Sequence, residues 1–401
     1  MRLYDTARRQ VVPFEPGPLA RLYVCGITPY DAAHLGHAAV YLTFDLLQRR
    51  LRDLGHEVWC VRNVTDVDDD ILRKARQLGV HYLDLAAQEM ANFDSAMTGL
   101  GLLPVHREPR ATSAIPEILS LIGALLDLGH AYRSAGAVYF DVASFGSFGQ
   151  LSHLPPADML SLAAERGGNP GDPAKRHPLD FVLWQPSAPD EPTWESRWGP
   201  GRPGWHIECS ALAMRELGPT VDLHGGGRDL IFPHHECEAA QSEAVTGQIF
   251  ARHWLHVGMV GLDGVKMSKS LGNLVFVADL LKRCEPAVVR LALLSHHYRS
   301  DWDWDEAEVA TAAWRLGRWR GVGTGSPRGP AVPTGPAVPT GPAAPTGPAA
   351  PTGPAVDASL QAVRDRLDDD LDAPGALTAL DALAAAGQPV EEGAALLGVT
   401  L

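Results

Sequence analysis

The chain has 401 residues, 45% of them hydrophobic, enough for a large core and for two or three domains. Its 34 basic and 48 acidic residues leave a net charge of −14, which disfavours general binding of polyanions while allowing a local basic patch. Five cysteines, odd in number and scattered, argue against a disulfide framework and for reduced thiols in a cytoplasmic protein; the N-terminus has no apolar signal core, and no run of about 18 apolar residues points to a membrane span.

Residues 1–20 read as an N-terminal arm, with Pro13, Pro16 and Pro18 opposing a helix. Leu22, Tyr23 and Val24 form a short buried strand, closed by Gly26 and Pro29. His34-Leu35-Gly36-His37 then opens an amphipathic run (Tyr41, Leu42, Phe44, Leu46, Leu47, Leu51, Leu54) at helical spacing. A cysteine, Cys25, therefore sits at a strand tip, and two histidines sit at a helix start that favours phosphate. Glu57 to Thr65 is a second strand, so strand, helix and strand make a βαβ unit and a parallel sheet of Rossmann type. Ligands lie beyond the carboxyl ends of such strands, where Cys25 and Asn63 to Thr65 fall.

Asp66 to Asp70 reads as an acidic, capped helix start, with a hard divalent-metal site as the sharper alternative. Helical segments run to about residue 103 and again across 113–129, and Ala137 to Val142 is a strand. Residues 144–204 are rich in Gly, Pro and Ser; 106–200 is expected to be a loop-rich insertion suited to a substrate lid. A helix runs from about Gly204 through Leu217, and Val221 to His224 is a strand leading into a glycine turn, Gly225 to Asp229. Phe232 to Glu238 opens a helix with Pro233 near its first turn, and His256 to Val260 is a further strand. Lys266-Met267-Ser268-Lys269-Ser270 follows a glycine turn.

Helices from 278 to 320 carry Trp302, Trp304, Trp314 and Trp319, read as core packing. Gly321 to Pro354 repeats Thr-Gly-Pro-Ala with a period of six, a linker composition. Residues 356–401 are helical and acidic, with two basic residues against nine acidic ones. The expected division is 1–105 and 201–277 for the two halves of the nucleotide fold, 106–200 for the insertion, 278–320 for a helical subdomain, 321–355 for the linker and 356–401 for the C-terminal region.

Cys25, Cys209, His234 and Glu238 are candidate zinc ligands, since zinc takes thiolate and imidazole in tetrahedral geometry. His234 and Glu238 are four apart and share a helix face; Cys237 is a rival ligand, and a buried metal-free thiol is the alternative for each cysteine. Zinc in such a pocket would take a thiolate in preference to a hydroxyl, which is a poor zinc ligand.

His34 to His37 and Lys266 to Ser270 resemble the two signatures of class I aminoacyl-tRNA synthetases. Cys25-Gly26-Ile27-Thr28-Pro29-Tyr30, Asn63-Val64-Thr65, Gly204 to Ser210 and Phe232 to Glu236 are similar to the cysteine-activating branch, which holds cysteinyl-tRNA synthetases and the cysteine ligases of mycothiol synthesis. The resemblance covers nearly the whole chain apart from the repeat. The ligase side is favoured by Ile27-Thr28-Pro29-Tyr30, where synthetases read Pro-Thr-Val-Tyr. It is also favoured by Glu165 to Pro170 (with Asn169 for the ligases' Asp), by Gly201 to His206 and by the ending Leu396 to Leu401. An acidic tail, moreover, does not supply the phosphate contacts that carry RNA affinity.

The resemblance implies an α/β, Rossmann-type class I synthetase domain with an inserted domain and a C-terminal helical region. It implies that ATP, taken with Mg2+, activates L-cysteine, and that the amine of GlcN-Ins (glucosaminyl-inositol) attacks the adenylate, releasing AMP and diphosphate. A monomer with no tRNA or membrane partner is expected. Cys25, Cys209 and His234 match ligands of one zinc ion per chain. Cys25, Gly26, Ile27, Thr28, Asn63, Val64, Thr65, Trp205, Gly227, Arg228, Asp229 and Val260 match the adenylate pocket; a further contact falls on Val40, where the family's threonine hydrogen bond is lost. His34 and His37 would donate to the α-phosphate, and Lys266 and Lys269 would neutralise departing diphosphate. Glu238 departs from the ligases: synthetases carry glutamate there as a fourth zinc ligand, which makes it a candidate ligand here. A shortened cysteinyl-tRNA synthetase, a ligase for another amine and a non-catalytic paralogue are the alternatives.

Overall fold

The computed structural model describes residues 1–267, 272–323 and 354–401, so Lys269 and nearly all of the repeat lie outside the described residues. The first residues form a hairpin, β1 (Arg2–Asp5) and β2 (Gln10–Pro13), rather than a plain arm. Then come β3 (Leu19–Ile27), α1 (Leu35–Asp53) and β4 (Glu57–Val64), the expected βαβ unit, with β3 and β4 parallel. Along β3, Leu22 and Val24 face one core and Tyr23 and Cys25 face the other, as the two-residue repeat of a strand requires. Helix α1 starts where it does because His34 is extended and its Nδ1 accepts the Gly36 N–H at 3.1 Å. The acidic run after β4 is a cap: the Asp68 carboxylate accepts the N–H groups of Asp70 (2.6 Å) and Ile71 (3.3 Å) at the start of α2 (Asp69–Leu78). Helix α3 (Tyr82–Gly99) follows.

The insertion holds more regular structure than its composition suggested. Helix α4 (Ile115–Asp127) leads into strands β5 (Ala131–Ser134) and β6 (Ala137–Phe140), helix α5 (Pro156–Glu165), and strands β7 (Phe181–Gln185) and β8 (Arg202–Pro203). The four strands form one antiparallel sheet in chain order. Arg166, Glu236 and Arg202 are among the residues that hold it against the rest. Arg166 binds the carbonyls of Asp229 and Phe232, Glu236 accepts the N–H groups of Gly149 (2.7 Å) and Ser152 (2.8 Å), and Arg202 pairs with Asp69.

The second half runs through α6 (Trp205–Leu217), β9 (Leu223–Gly227), α7 (Glu236–Thr246) and β10 (Trp254–Val257). Strands β10, β9, β3 and β4 lie in that order, all parallel. The connection therefore reverses direction between β3 and β9, which opens a crevice at their carboxyl ends.

Three sequence expectations need correction. Gly225 to Gly227 belong to β9 and not to a turn; a Cβ on Gly225 would sit 1.9 Å from the Leu255 carbonyl oxygen and 2.9 Å from the Phe44 ring, so closeness of neighbouring elements explains the glycine. The helix expected at Phe232 starts at Glu236; Phe232 is extended (φ −134°, ψ 134°) and Pro233 precedes the helix. His256 to Val260 is not one strand: Val257 ends β10, and β11 (Val260–Leu262) pairs elsewhere, with β12 (Val265–Lys266) and β13 (Trp302–Asp303). The chain parts at Gly258, which packs so close to the Ser300 carbonyl that a Cβ would lie 2.2 Å from it.

Helices α8 (Val277–Arg283), α9 (Pro286–Leu294) and α10 (Ala307–Gly323), then α11 (Pro354–Leu367), α12 (Ala373–Ala385) and α13 (Glu391–Leu396), complete the fold. They extend the core on the α1 side of the sheet, while α4, α6 and α7 cover the other side. Trp304 and Trp319 are core residues as expected; Trp314 is 60% exposed, under the Arg318 guanidinium. Several of the tail's acids are held in ion pairs within the chain, among them Asp368 with Arg50 (2.7 Å), Asp370 with Arg299 (2.6 Å) and Asp381 with Arg315 (3.0 Å).

Candidate active site and metal centre

The carboxyl end of β3, helix α6, the segment before α7 and the first turn of α7 bring four side chains together. Cys25 Sγ lies 3.9 Å from Cys209 Sγ and 3.4 Å from Glu238 Oε1, which is 3.0 Å from His234 Nε2. All four residues are buried, and their ligand atoms lie within 4.8 Å of one another. Zinc bonds of about 2.3 Å to sulfur and about 2.0–2.1 Å to nitrogen or oxygen, at tetrahedral angles, put sulfurs about 3.8 Å apart, sulfur and oxygen about 3.6 Å apart, and nitrogen and oxygen about 3.3 Å apart. The observed spacings follow that pattern. The donor set fits a metal ion, and this group can hold one.

Electrostatics agree with the geometry. Burial pushes the Cys25 thiol well up from its ordinary pKa, and Cys209 and Glu238 add to it; two thiolates and a carboxylate this close call for a cation among them. Burial keeps His234 and His235 well below the usual imidazole range, hence neutral and able to ligate. Cys237, the rival ligand, belongs to neither group of metal-competent side chains among the described residues.

Sequence reasoning missed the histidines behind this group. His224 Nε2 lies 2.9 Å from Glu238 Oε2, and its Nδ1 faces the Tyr23 carbonyl at 3.1 Å. His235 Nε2 is 3.3 Å from Cys25 Sγ, and its Nδ1 is 2.7 Å from His256 Nε2. His224 and His235 with Cys25 and Glu238 make a second four-residue set sharing two members with the first. His206 Nδ1 holds His234 Nδ1 at 2.8 Å, which leaves Nε2 to face the group; such outer partners orient ligating histidines. The readable signal was the density of histidine between His206 and His256, six of the chain's 16, which spacing alone does not resolve into one site.

A cleft of about 1280 Å³ opens above the metal-competent group. Of the residues expected at the adenylate pocket, Cys25, Gly26, Ile27, Thr28, Val40, Trp205, Gly227, Asp229 and Val260 line it, together with His34 and His37. Trp205 stacks on His234 with ring centres 4.0 Å apart. The His34 and His37 rings stack at 3.8 Å where α1 begins. Asn63, Val64 and Thr65 stand behind the lining: Asn63 Oδ1 accepts the Gly26 N–H at 2.8 Å, and its Nδ2 donates to Thr65 Oγ1 at 3.1 Å. Gly26 has to be glycine there, since a Cβ would fall 1.5 Å from the Asn63 carbonyl oxygen. Arg228 turns away, with both Asp301 oxygens at 2.8 Å. Lys266 lies on β12 next to Met267, a cleft residue.

Comparison with known proteins agrees with this architecture. Residues 11–314 match the family model "tRNA synthetases class I (C) catalytic domain". Among curated relatives, the L-cysteine:1D-myo-inositol 2-amino-2-deoxy-alpha-D-glucopyranoside ligase of Streptosporangium roseum is 47% identical over 100% of this chain and 96% of its own length. The ligase of the same name from Frankia alni is 50% identical over 92% of this chain and 84% of its own. Among solved structures, methionyl-tRNA synthetase of Mycobacterium tuberculosis in complex with methionyl-adenylate superposes with a TM-score of 0.64 at 18% identity, covering 92% of this chain and 81% of that one, which is likeness of fold. This chain thus belongs to the family of L-cysteine:1D-myo-inositol 2-amino-2-deoxy-alpha-D-glucopyranoside ligases, on the class I synthetase fold.

Proposed function

We propose that the protein joins L-cysteine to the amine of 1D-myo-inositol 2-amino-2-deoxy-alpha-D-glucopyranoside (GlcN-Ins), using ATP and releasing AMP and diphosphate. One observation carries the reading: a buried group of thiol and imidazole ligands, Cys25, Cys209, His234 and Glu238, reaches the cleft through Cys25, and the histidine pair of a class I nucleotide site, His34 and His37, lines the same cleft. Zinc in that group supplies recognition of the substrate's thiolate over a serine hydroxyl. The cysteine carboxylate attacks the α-phosphorus of ATP, held with Mg2+, and diphosphate departs. His34 and His37 donate to the α-phosphate as charge builds there, and Lys266 and Lys269 neutralise the leaving diphosphate. Gly26, presented by Asn63, together with Thr28, Trp205, Gly227 and Asp229, orients the adenylate. The sugar amine then attacks the acyl carbon and AMP leaves.

The reading is of a monomeric, cytoplasmic enzyme without a tRNA partner, in keeping with tail acids that pair within the chain. No helix among the described residues is long and apolar enough to cross a membrane. The test offers purified protein ATP and labelled cysteine with GlcN-Ins and cysteine tRNA in parallel. Label on the amino sugar and none on tRNA is expected; label on tRNA would make the protein a short synthetase, and failure of cysteine-dependent ATP–diphosphate exchange would make it a non-catalytic relative.

A further inference from the structure

The cleft is larger than the roughly 300–1,000 Å³ of most small-molecule sites, and neither the metal-competent group nor the histidine pair accounts for one arm of it. That arm runs between α2 and the insertion and is lined by polar side chains: Tyr30, Asp70, Arg73, Lys74, Gln77 and Gln185. Arginine and carboxylate, amide and hydroxyl are the groups that hold a polyol by paired hydrogen bonds. At its inner end, next to Thr28, stands Asp68, whose Oδ2 lies 3.4 Å from Thr28 Oγ1.

Asp68 differs from its neighbours in the acidic run. Asp69 is held by Arg202, Asp70 by Arg73, and Asp66 by Thr112 with Arg110 at 4.0 Å. Asp68 pairs with no cation among the described residues; it caps α2 with one oxygen and turns the other to Thr28 and the cleft. Behind it, Glu208 of α6 is fully buried with neither carboxyl oxygen hydrogen-bonded, close enough to feel the charge of Asp68. A carboxylate on the cleft wall without a cation favours the arrival of positive charge.

We infer that this arm seats the amine acceptor, a polyhydroxylated amino sugar, and that Asp68 accepts the proton of its ammonium group; the inference rests on the ligase reading above. The ammonium gives one proton to the Asp68 carboxylate, and the freed lone pair forms the C–N bond to the acyl carbon of the adenylate. The C–O bond to phosphate then breaks, its electron pair leaves with AMP, and the second N–H proton departs to the released phosphate or to water. Burial, reinforced by the charges of Asp70 and Asp69, holds the Asp68 carboxyl at about 6, against the cap N–H groups that pull it down. A base of that strength is ionised at neutral pH and still close enough to it to work. The groups facing Asp68 are Asp69 and Asp70 on its own helix, Thr28 and Tyr30 from the segment after β3, and Glu208 from α6.

The test is Asp68→Asn, since asparagine caps a helix as well as aspartate and keeps α2 in place. Two steps are measured in the intact protein: cysteine-dependent ATP–diphosphate exchange, and single-turnover transfer of preformed cysteinyl-adenylate to GlcN-Ins. Transfer is expected to fall about 10²–10³-fold, far more than exchange, as loss of a general base implies. Transfer by the unaltered protein should decline below pH of about 6, and the variant's profile should lose that limb. Transfer at the original rate, or equal loss in both steps, would overturn the assignment. Absence of exchange in the unaltered protein is a separate result, and overturns the ligase reading itself.

Discussion

Arg290 and Asp45 form an ion pair in which each side chain is only 1% exposed. The same guanidinium donates to the carbonyls of Leu397 (2.7 Å) and Leu100 (3.2 Å), so one residue of α9 ties α1, the end of α3 and the C-terminal stretch together. Arg290→Met leaves Asp45 buried with Arg49 as its remaining cation and two carbonyls without their donor. A loss of about 3–5 kcal/mol is expected, since removing one partner of a buried pair strands the other. Urea unfolding of the two proteins measures it, and a loss below about 1 kcal/mol would show the pair to be dispensable.

The pair also sets a pH dependence. Burial raises the Asp45 carboxyl, but the charges of Arg290 and Arg49 outweigh it and its folded pKa lies below the ordinary carboxylate value. A depressed folded pKa means that the contribution is present above the unfolded value of about 3.9 and is lost as pH falls through the folded one. Melting temperature should therefore drop below about pH 4, with a shallower drop in Arg290→Met. Parallel acid limbs in the two proteins would contradict this.

Cys209→Ala removes one sulfur from the metal-competent group. Metal analysis should fall from about one zinc per chain to near zero, and selection of cysteine over serine in ATP–diphosphate exchange should go with it. Unchanged metal content and selectivity would remove the group from the substrate site.

Glu238 can act as a ligand through Oε1 or as a brace for His224 through Oε2. Glu238→Gln keeps the shape and loses the charge. Zinc affinity in competition with a chelator should fall at least about 10–100-fold, the range seen even for outer partners of a metal site. An unchanged affinity would assign the residue to hydrogen bonding alone.

His34→Asn tests the nucleotide end of the cleft. Asparagine can still accept the Gly36 N–H, so α1 keeps its cap. The exchange rate should fall about 10²–10³-fold with little change in the KM for cysteine, as loss of a transition-state donor predicts. A rise in that KM with an unaltered rate would instead place His34 in substrate binding.

The βαβ unit, the start of α1 at His34 and Cys25 at a strand tip were legible in the sequence, because hydrophobic period and capping act within a few residues. The glycines of β9 were not, because the atoms that exclude a side chain there, the Leu255 carbonyl and the Phe44 ring, come from elements far along the chain. Gly258 misled in the same way, its reason lying at Ser300. Asp66 to Asp70 was readable as a cap from spacing, yet which carboxylate pairs with which arginine depends on where β8 and the insertion close on α2.

The sequence by itself determined the fold class and which residue types stand near one another locally: two histidines at a helix start and a cysteine toward the end of a strand. Only the tertiary structure decided that Cys25, Cys209, His234 and Glu238 meet, that four further histidines stand around them, and that Arg228 turns away from the cleft. The physical reason is the sheet order. β3 and β9 are neighbours about 200 residues apart in sequence, and local propensity carries no record of which strands a crossover brings side by side.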